Sequence, residues 1–316
     1  MIPYFFKRTF MPNSILYLFT VLIWGSSWFV ITFQLGVVAP QVSVLYRFVI
    51  ASLVLLVYCL LRGERLRYGL YDHLRFAFIG LFLFNLNYTF VYFASSSLTT
   101  GLISVVFSCV QIFNMLIAYV VLRDRITLRM AIGASIGIVG IALVFWPEID
   151  ALDLGDEVLR GIGLTLLGTL CASIGMISSA RFQRQNYPVL QTNAWGMTWG
   201  ACWMFLFVSI AGHEWSFDYS VTYISALLFL SIFSTVLGFG CFLTLVGRMG
   251  AARASYAMIV FPIVSLLIST AFENYIWTVV ASAGVVLAII GNIIILLDKQ
   301  GNMKVKPKSS SEVKAR

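Results

Sequence analysis

The chain has 316 residues, of which 60% are hydrophobic and only 11% are charged, and its mean hydropathy is +0.93. Soluble domains usually carry about 25% charged residues, so this composition excludes a soluble globular protein and indicates a polytopic membrane protein. A net charge of +8 would suggest a nucleic-acid partner in a soluble protein. Basic residues of membrane proteins instead collect in cytoplasmic loops, and we therefore expect no nucleic-acid partner.

Ten apolar runs of about the length that crosses a hydrocarbon core, roughly 20 residues, follow one another along the chain. They cover approximately residues 14–34, 42–61, 74–94, 100–122, 128–146, 161–181, 190–211, 222–246, 254–271 and 276–297. The loops between them are short, so neighbouring helices are expected to pack antiparallel. The sequence therefore predicts an all-α polytopic membrane protein with ten transmembrane helices.

The positions of the basic residues test this count, because Lys and Arg are enriched in cytoplasmic loops. Basic residues occur before the first span, in every second loop and after the last span. Of the 21 Lys and Arg residues, only Arg47 and Arg160 lie elsewhere. A wrong number of spans would break this alternation, which predicts ten spans with both termini in the cytoplasm.

The same pattern predicts how the chain is divided. The predicted parts are a cytoplasmic N-terminus (1–13), a first five-helix repeat (14–146), an acidic periplasmic loop (147–160), a second five-helix repeat (161–297) and a basic, disordered cytoplasmic tail (298–316). The lysine-rich tail is expected to lie near anionic lipid rather than to form a domain.

The two halves of the chain are weakly similar to each other. A shift of 151 residues places Gly133 on Gly284 and Gly140 on Gly291, and a shift of 148 superposes the first span on the sixth. Because each half has five spans, an odd number, the second half must insert upside-down relative to the first. Inverted repeats place a binding site near the midplane and support alternating access. They also occur in some channels, or can reflect gene duplication alone.

Polar and aromatic side chains recur on one face of several spans when about 100° is allowed per residue. Small and polar residues can serve as contacts between helices, whereas bulkier polar groups facing lipid would be costly and are expected to line a wet cavity. We assign to a substrate cavity the residues Trp24, Ser27, Trp28, Asn85, Tyr88, Tyr92, Gln111, Asn114 and Tyr256. Pro262 is predicted to bend the ninth span. Whether Trp28 stacks on a ligand or packs at a helix interface stays open.

Arg47 lies several residues inside the second span, with no acidic residue close to it in sequence. Its stem can lie in hydrocarbon while the guanidinium reaches the interface. Alternatively, it contacts an anion or serves as a gate, since a charge within a membrane is a candidate functional site. We include Arg47 among the cavity residues.

Groups for catalysis, metal binding or proton relay are absent from the spans. All 13 acidic residues lie in loops or at helix ends, and the five cysteines form no ligand spacing. We therefore expect no enzyme activity, no metal and no cofactor. Glu273 and His213 are the nearest candidates for a proton relay, so facilitated or exchange transport fits the sequence as well as proton antiport.

Four stretches carry a resemblance to a known family. They read LIWGSSWFV in span one, YRFVIASLVLL in span two, LRDRITLRMAIGASIGIVGIALVF through spans four and five, and FPIVSLLISTAFENYIW followed by GNIIIL in spans nine and ten. Over residues 14–297 the chain resembles the drug/metabolite transporter superfamily, in particular its ten-span EamA-type branch. One departure is Gln111, which overlies Pro262, where relatives often carry proline in both halves.

The resemblance implies a multi-pass transporter of the bacterial inner membrane that works by alternating access around a midplane cavity. Its expected role is the export of small polar or amphipathic metabolites, with amino acids or related compounds as cargo. A multidrug or cation carrier, a nucleoside carrier of the same fold, and a channel are the alternatives. The expected partners are the small-molecule substrate and the lipid bilayer, and the protein is expected to be a monomer or a loose homodimer.

Overall fold

The computed structural model describes residues 11–34, 36–94, 97–98, 103, 106–144, 146, 156–254, 256–272 and 277–296. Within these ranges the chain forms ten main helices and one helix of four residues, Ala251–Ala254. The helices are α1 (Asn13–Thr32), α2 (Pro40–Leu61), α3 (Leu70–Ala94), α4 (Val110–Leu122), α5 (Leu128–Val144), α6 (Asp156–Arg184), α7 (Val189–Ile210), α8 (Val221–Met249), α9 (Ala257–Phe272) and α10 (Val279–Leu296).

Each predicted span overlaps one of these helices. By length and composition, α1, α2, α3, α6 and α8 can each cross a membrane, and α4, α5 and parts of α9 and α10 are shorter apolar helices. These helices support a polytopic membrane protein, while the count of ten crossings and the cytoplasmic location of both termini stay predictions. The basic tail, most of the N-terminus and residues 147–155 of the acidic loop lie outside the described residues. The end of that predicted loop is helical, because α6 begins at Asp156.

Helix ends follow from local sequence in the same way in both halves. Pro40 is the first residue of α2, and Pro188 directly precedes α7. Proline suits these positions because the first helical N–H groups have no partner within the helix. Beyond the C-terminal ends of α2 and α7, Gly63 and Gly212 adopt φ values of +64° and +69°, the left-handed conformation that terminates helices.

Helices α5 and α10 pack backbone to backbone through glycines. A Cβ added at Gly140 would lie 2.5 Å from the backbone N of Ala288, and one added at Gly291 would lie 2.5 Å from the carbonyl of Gly133. Backbone atoms cannot move aside as a flexible side chain can. Small residues at this interface therefore permit a close approach that gains van der Waals contact within lipid.

Contacts between the two halves occur in matching pairs. Helix α1 packs against α8 and α9, and its counterpart α6 packs against α3 and α4. Likewise α2 contacts α8 while α7 contacts α3, and α2 also packs directly against α7. This pairing is the arrangement expected of two five-helix units related by a pseudo-two-fold axis.

The third helix of each half contains a π-type segment, Phe82–Leu86 in α3 and Phe229–Gly238 in α8. In such segments a backbone N–H bonds to the carbonyl five residues back, as the N–H of Asn87 does to Phe82. Segments of this kind are rare in helices and are frequently found at functional sites.

Candidate functional site

A cavity of about 130 Å³ lies among α1, α2, α3, α6, α8 and α9. Its lining residues are Trp24, Ser27, Trp28, Ile31, Arg47, Asn87, Tyr88, Val91, Tyr92, Ile103, Phe107, Met176, Ser234, Phe239, Met258 and Phe261. A single water needs roughly 10–15 Å³, so the cavity has room for several waters or a small molecule. An apolar and aromatic lining with a few polar groups is typical of small-molecule sites.

Arg47 is the cation of the described lining, and it is 3% exposed. Its Nε donates to Thr235 Oγ1 at 2.6 Å and its Nη2 donates to Ser234 Oγ at 2.9 Å. The guanidinium carbon lies 5.2 Å from the centre of the Tyr88 ring, a cation–π distance. Among the described residues, no carboxylate pairs with Arg47. Among the described residues this buried positive charge has neutral partners only, an arrangement whose desolvation cost a purely structural role does not explain.

The π segment of α8 holds three helices together at the cavity. The Thr235 hydroxyl donates to the carbonyl of Leu230, five residues back, at 2.8 Å, which orients its oxygen to accept from Arg47. The indole Nε1 of Trp24 donates to the carbonyl of Ser234 at 3.0 Å. Arg47 of α2 is therefore bonded to two consecutive residues of α8, and Trp24 of α1 is bonded to the first of them.

Aromatic rings form the apolar wall of the cavity. Trp28 and Phe261 lie nearly parallel, with an interplanar angle of 12° and ring centres 6.5 Å apart. Trp24 and Phe239 form an edge-to-face pair with ring centres 5.1 Å apart. These flat surfaces suit the apolar part of a ligand.

Asn87 borders the cavity directly after the π segment of α3. Its Nδ2 donates to the carbonyl of Leu83 at 3.5 Å, a long hydrogen bond. Its Oδ1 is enclosed, and no donor of the described chain reaches it. A buried acceptor left without a donor costs about 1–3 kcal/mol, which marks Asn87 as a polar group that folding alone does not explain.

Six of the ten predicted site residues lie at this cavity. They are Trp24, Ser27, Trp28, Arg47, Tyr88 and Tyr92. They come from α1, α2 and α3, so the structure brings together polar faces that are distant in sequence. Ser27 donates to the carbonyl of Ile23 within its own helix.

The other four predicted residues lie elsewhere in the bundle. Asn85 directs its amide at the sulfur of Met204 on α7, 3.7 Å away, and Asn114 directs its amide at the sulfur of Met176 on α6, 3.8 Å away. Gln111 is buried, and Tyr256 packs in a separate core cluster. Pro262, the predicted bend, lies inside α9.

Several lining residues were not predicted. Asn87, Ser234 and Phe239 lie in or beside the π segments, and Met176, Met258 and Phe261 are apolar residues without a distinguishing motif. Two asparagines in the sequence FNLNYTF are candidates for the cavity face of α3. The π segment decides between these two asparagines, because it rotates the residues that follow it away from the positions expected for 100° per residue.

A model of the EamA-like transporter family matches the chain twice, at residues 12–146 and 159–297. The chain belongs to the EamA-like transporter family. The two matches also show the two repeats within the chain. Members of this family are transporters rather than enzymes, which agrees with the prediction of no enzyme activity, and the protein is a multi-pass membrane transporter of the drug/metabolite transporter superfamily.

Curated relatives of this transporter align over most of their length. An uncharacterized transporter of Archaeoglobus fulgidus is 26% identical over 280 residues, which are 88% of this chain and 96% of that protein. Protein PagO of Salmonella typhimurium is 23% identical over 88% of this chain and 89% of its own. The uncharacterized inner membrane transporter YedA of Escherichia coli is 26% identical over 79% of each chain.

A solved crystal structure of another protein superposes on this transporter with a TM-score of 0.75. It covers 89% of this chain and 95% of that one, at 16% sequence identity. At this identity the likeness concerns the fold alone.

Proposed function

We propose that this EamA-like transporter carries small polar or amphipathic metabolites across the bacterial inner membrane by alternating access around the described cavity. Export is the proposed direction, and amino acids or related compounds are the proposed cargo. The observation that carries the proposal is Arg47, a buried cation at a cavity large enough for a small molecule, with no carboxylate partner among the described residues. The ligand would then supply the charged partner that Arg47 lacks among the described residues.

Contacts between the halves support a conformational cycle. At the helix ends predicted to be cytoplasmic, Arg184 pairs with Asp124 at 2.7 Å and donates to the carbonyl of Leu122 at 2.9 Å, joining α6 to α4. Nearby, Arg75 donates to the Tyr187 hydroxyl at 3.0 Å, and this hydroxyl donates to Asp72. The bond to Asp72, followed by burial, raises the pKa of Tyr187 and keeps the hydroxyl protonated.

Exposed or partly exposed bonds of this kind are individually weak, at about 0–1 kcal/mol for a surface ion pair. They can therefore break and re-form as the cavity opens and closes on this side. Rocking of one five-helix repeat against the other would exchange access, with ten crossings and both termini in the cytoplasm. The proposed assembly is a monomer or a loose homodimer, with no nucleic-acid partner.

A nucleoside carrier is the second candidate. The nearly parallel rings of Trp28 and Phe261 favour it, because flat bases stack on aromatic side chains. A carrier for cationic drugs has less support, since the described lining contains Arg47 and no carboxylate. A channel is the remaining alternative.

Counterflow in proteoliposomes tests the proposal. Vesicles preloaded with unlabelled amino acid should accumulate the labelled compound in a saturable manner when they contain the wild-type protein. Arg47→Lys should reduce this accumulation, whereas Arg160→Lys, at an exposed position of α6, should not. Stepwise single-channel currents, or no saturable counterflow with amino acids, would contradict the proposal. Saturable counterflow of nucleosides alone would favour the second candidate.

A further inference from the structure

Three hydrogen-bond donors at the cavity have no acceptor within the described part of the chain. They are Nη1 of Arg47, the hydroxyl of Tyr88 and the indole Nε1 of Trp28, and all three residues line the cavity. Trp24 differs, because its indole donates to the carbonyl of Ser234. The bonds of Nε and Nη2 to Thr235 and Ser234 fix the guanidinium and leave the third nitrogen for a ligand.

The described lining residues include no negatively charged group that would pair with a cation. No Asp or Glu occurs among the described lining residues. An ammonium group entering the cavity would lose its hydration and find only neutral acceptors, which is unfavourable in a low-dielectric site. The enclosed Oδ1 of Asn87 is a neutral acceptor of this kind.

The number of positive charges limits the charge of the ligand. Arg47 is the one Lys or Arg of the described lining, so a singly charged anion is neutralised and a phosphate dianion is not. A carboxylate has two acceptor oxygens, one for Nη1 of Arg47 and one for the hydroxyl of Tyr88. The parallel rings of Trp28 and Phe261 supply an apolar surface beside this group.

We infer that the cavity recognises a monocarboxylate with an apolar body, and that the carboxylate rather than an ammonium group decides binding. The carboxylate lies on Nη1 of Arg47 and the hydroxyl of Tyr88, and the apolar body lies against Trp28 and Phe261. This inference rests on the proposed function and narrows its substrate class. An amino acid binds through its carboxylate, and its ammonium group adds no affinity.

Three probes with the same phenylethyl body separate the two charged groups. They are 3-phenylpropionate, which has the carboxylate alone, phenylalanine, which has both groups, and phenethylamine, which has the ammonium alone. In detergent, equilibrium binding to the purified full chain should be saturable for 3-phenylpropionate and no weaker than for phenylalanine. Phenethylamine should show no saturable binding. Saturable binding of phenethylamine, tenfold tighter binding of phenylalanine than of 3-phenylpropionate, or no saturable binding of either carboxylate would overturn the inference.

Variants assign the effect to the named atoms. Arg47→Met should weaken binding of 3-phenylpropionate by about 10- to 100-fold, the range for a charge-assisted hydrogen bond. Arg47→Lys keeps the charge and loses the planar donors, and should weaken binding by about 10-fold. Tyr88→Phe removes one neutral hydroxyl and should weaken it by about 2- to 10-fold. Arg160→Met deletes an exposed arginine outside the cavity and should leave binding unchanged.

The outcomes distinguish this inference from the proposed function. If Arg47→Met does not fold, the binding of 3-phenylpropionate to Arg47→Lys and Tyr88→Phe tests the inference instead. Wild-type affinity in both variants would overturn it. Transport of phenethylamine without transport of either carboxylate would leave the carrier in place and overturn the carboxylate specificity. Carboxylate binding at Arg47 together with single-channel currents would overturn the carrier and leave the binding site in place.

Discussion

The Thr235 hydroxyl accepts a 2.6 Å hydrogen bond from Nε of Arg47 and donates a 2.8 Å hydrogen bond to the carbonyl of Leu230. This pair joins α2 of the first repeat to the π segment of α8 in the second. The hydroxyl therefore satisfies an irregular stretch of backbone and orients the buried cation of the cavity at the same time.

Thr235→Val should destabilise the folded protein, because valine keeps the shape and removes the acceptor of a charged donor. Hydrogen bonds to charged groups contribute about 1.5–3 kcal/mol to folding free energy. We expect a lower thermal unfolding midpoint in detergent and weaker ligand binding, both measured on the purified protein.

Thr244→Val is the matched control on the same helix. Thr244 is also buried, but its hydroxyl donates only to the carbonyl of Gly240 within α8, at 2.6 Å. Its substitution should lower the midpoint less and leave ligand binding unchanged. Equal effects of the two substitutions would show that the bond between Thr235 and Arg47 has no special role.

Asn87→Leu should reduce transport while leaving the fold as stable as before or more stable. The substitution removes an enclosed acceptor that has no donor in the described chain, and its amide makes only one long hydrogen bond. Removing an unsatisfied buried group relieves a cost of about 1–3 kcal/mol. Counterflow and thermal unfolding of the same preparation measure both quantities.

Asn85→Leu is the control two residues away. Asn85 points at Met204 between α3 and α7 rather than into the cavity, so this change should alter stability and leave the transport KM unchanged. A raised KM in Asn85→Leu with normal transport by Asn87→Leu would show that the two asparagines have been assigned the wrong way round.

Gly140→Ala should disrupt the contact of α5 with α10. The new methyl group would lie 2.5 Å from the backbone N of Ala288 and 2.6 Å from the carbonyl of Gly284, so the helices must move apart. Overpacking of this kind typically costs about 1–3 kcal/mol. We expect a lower unfolding midpoint and a smaller monodisperse fraction in size-exclusion chromatography.

Gly163→Ala tests whether the effect is one of space. Apart from its chain neighbours and the backbone of its own helix, no atom of the described residues lies within 4 Å of a Cβ built at Gly163 in α6, and alanine has the higher helix propensity. This variant should be as stable as the wild type or more stable. If Gly140→Ala matched it, the close approach of α5 and α10 would not depend on glycine.

Counterflow should not depend on an imposed pH gradient. No Asp, Glu or His belongs to the described cavity lining, and the acidic residues of the sequence lie in loops or at helix ends. A buried carboxylate or histidine is the usual relay in proton-coupled carriers. Counterflow at equal and at unequal internal and external pH should therefore agree, and strong dependence on the gradient would require a relay outside the described lining.

Regular helix periodicity located the cavity face of α1 but not of every helix. Trp24, Ser27 and Trp28 lie at the cavity as their spacing predicts, because α1 is a regular α-helix over its whole length. In α3 the same reasoning selects Asn85, whereas Asn87 borders the cavity after the π segment. A π turn changes the rotation per residue, and the composition of FNLNYTF does not predict one.

Arg47 shows the same division at the level of one residue. The sequence shows how deep Arg47 lies in the second span. It does not show whether the guanidinium reaches the membrane interface or lies in the protein interior. The structure places it in the interior because Ser234 and Thr235, almost 190 residues later, supply its acceptors. Such a long-range pairing leaves no local pattern.

Composition and local spacing are enough to predict that this chain lies in a membrane, where its apolar runs fall, and that its two halves are related. These properties depend on composition and local spacing, because transfer of each segment into lipid is governed by the residues of that segment alone. Which polar side chains share the cavity and which bridge neighbouring helices follows from the packing of the helices in three dimensions. That choice depends on how helices rotate and approach one another, and here π segments and glycine contacts set both.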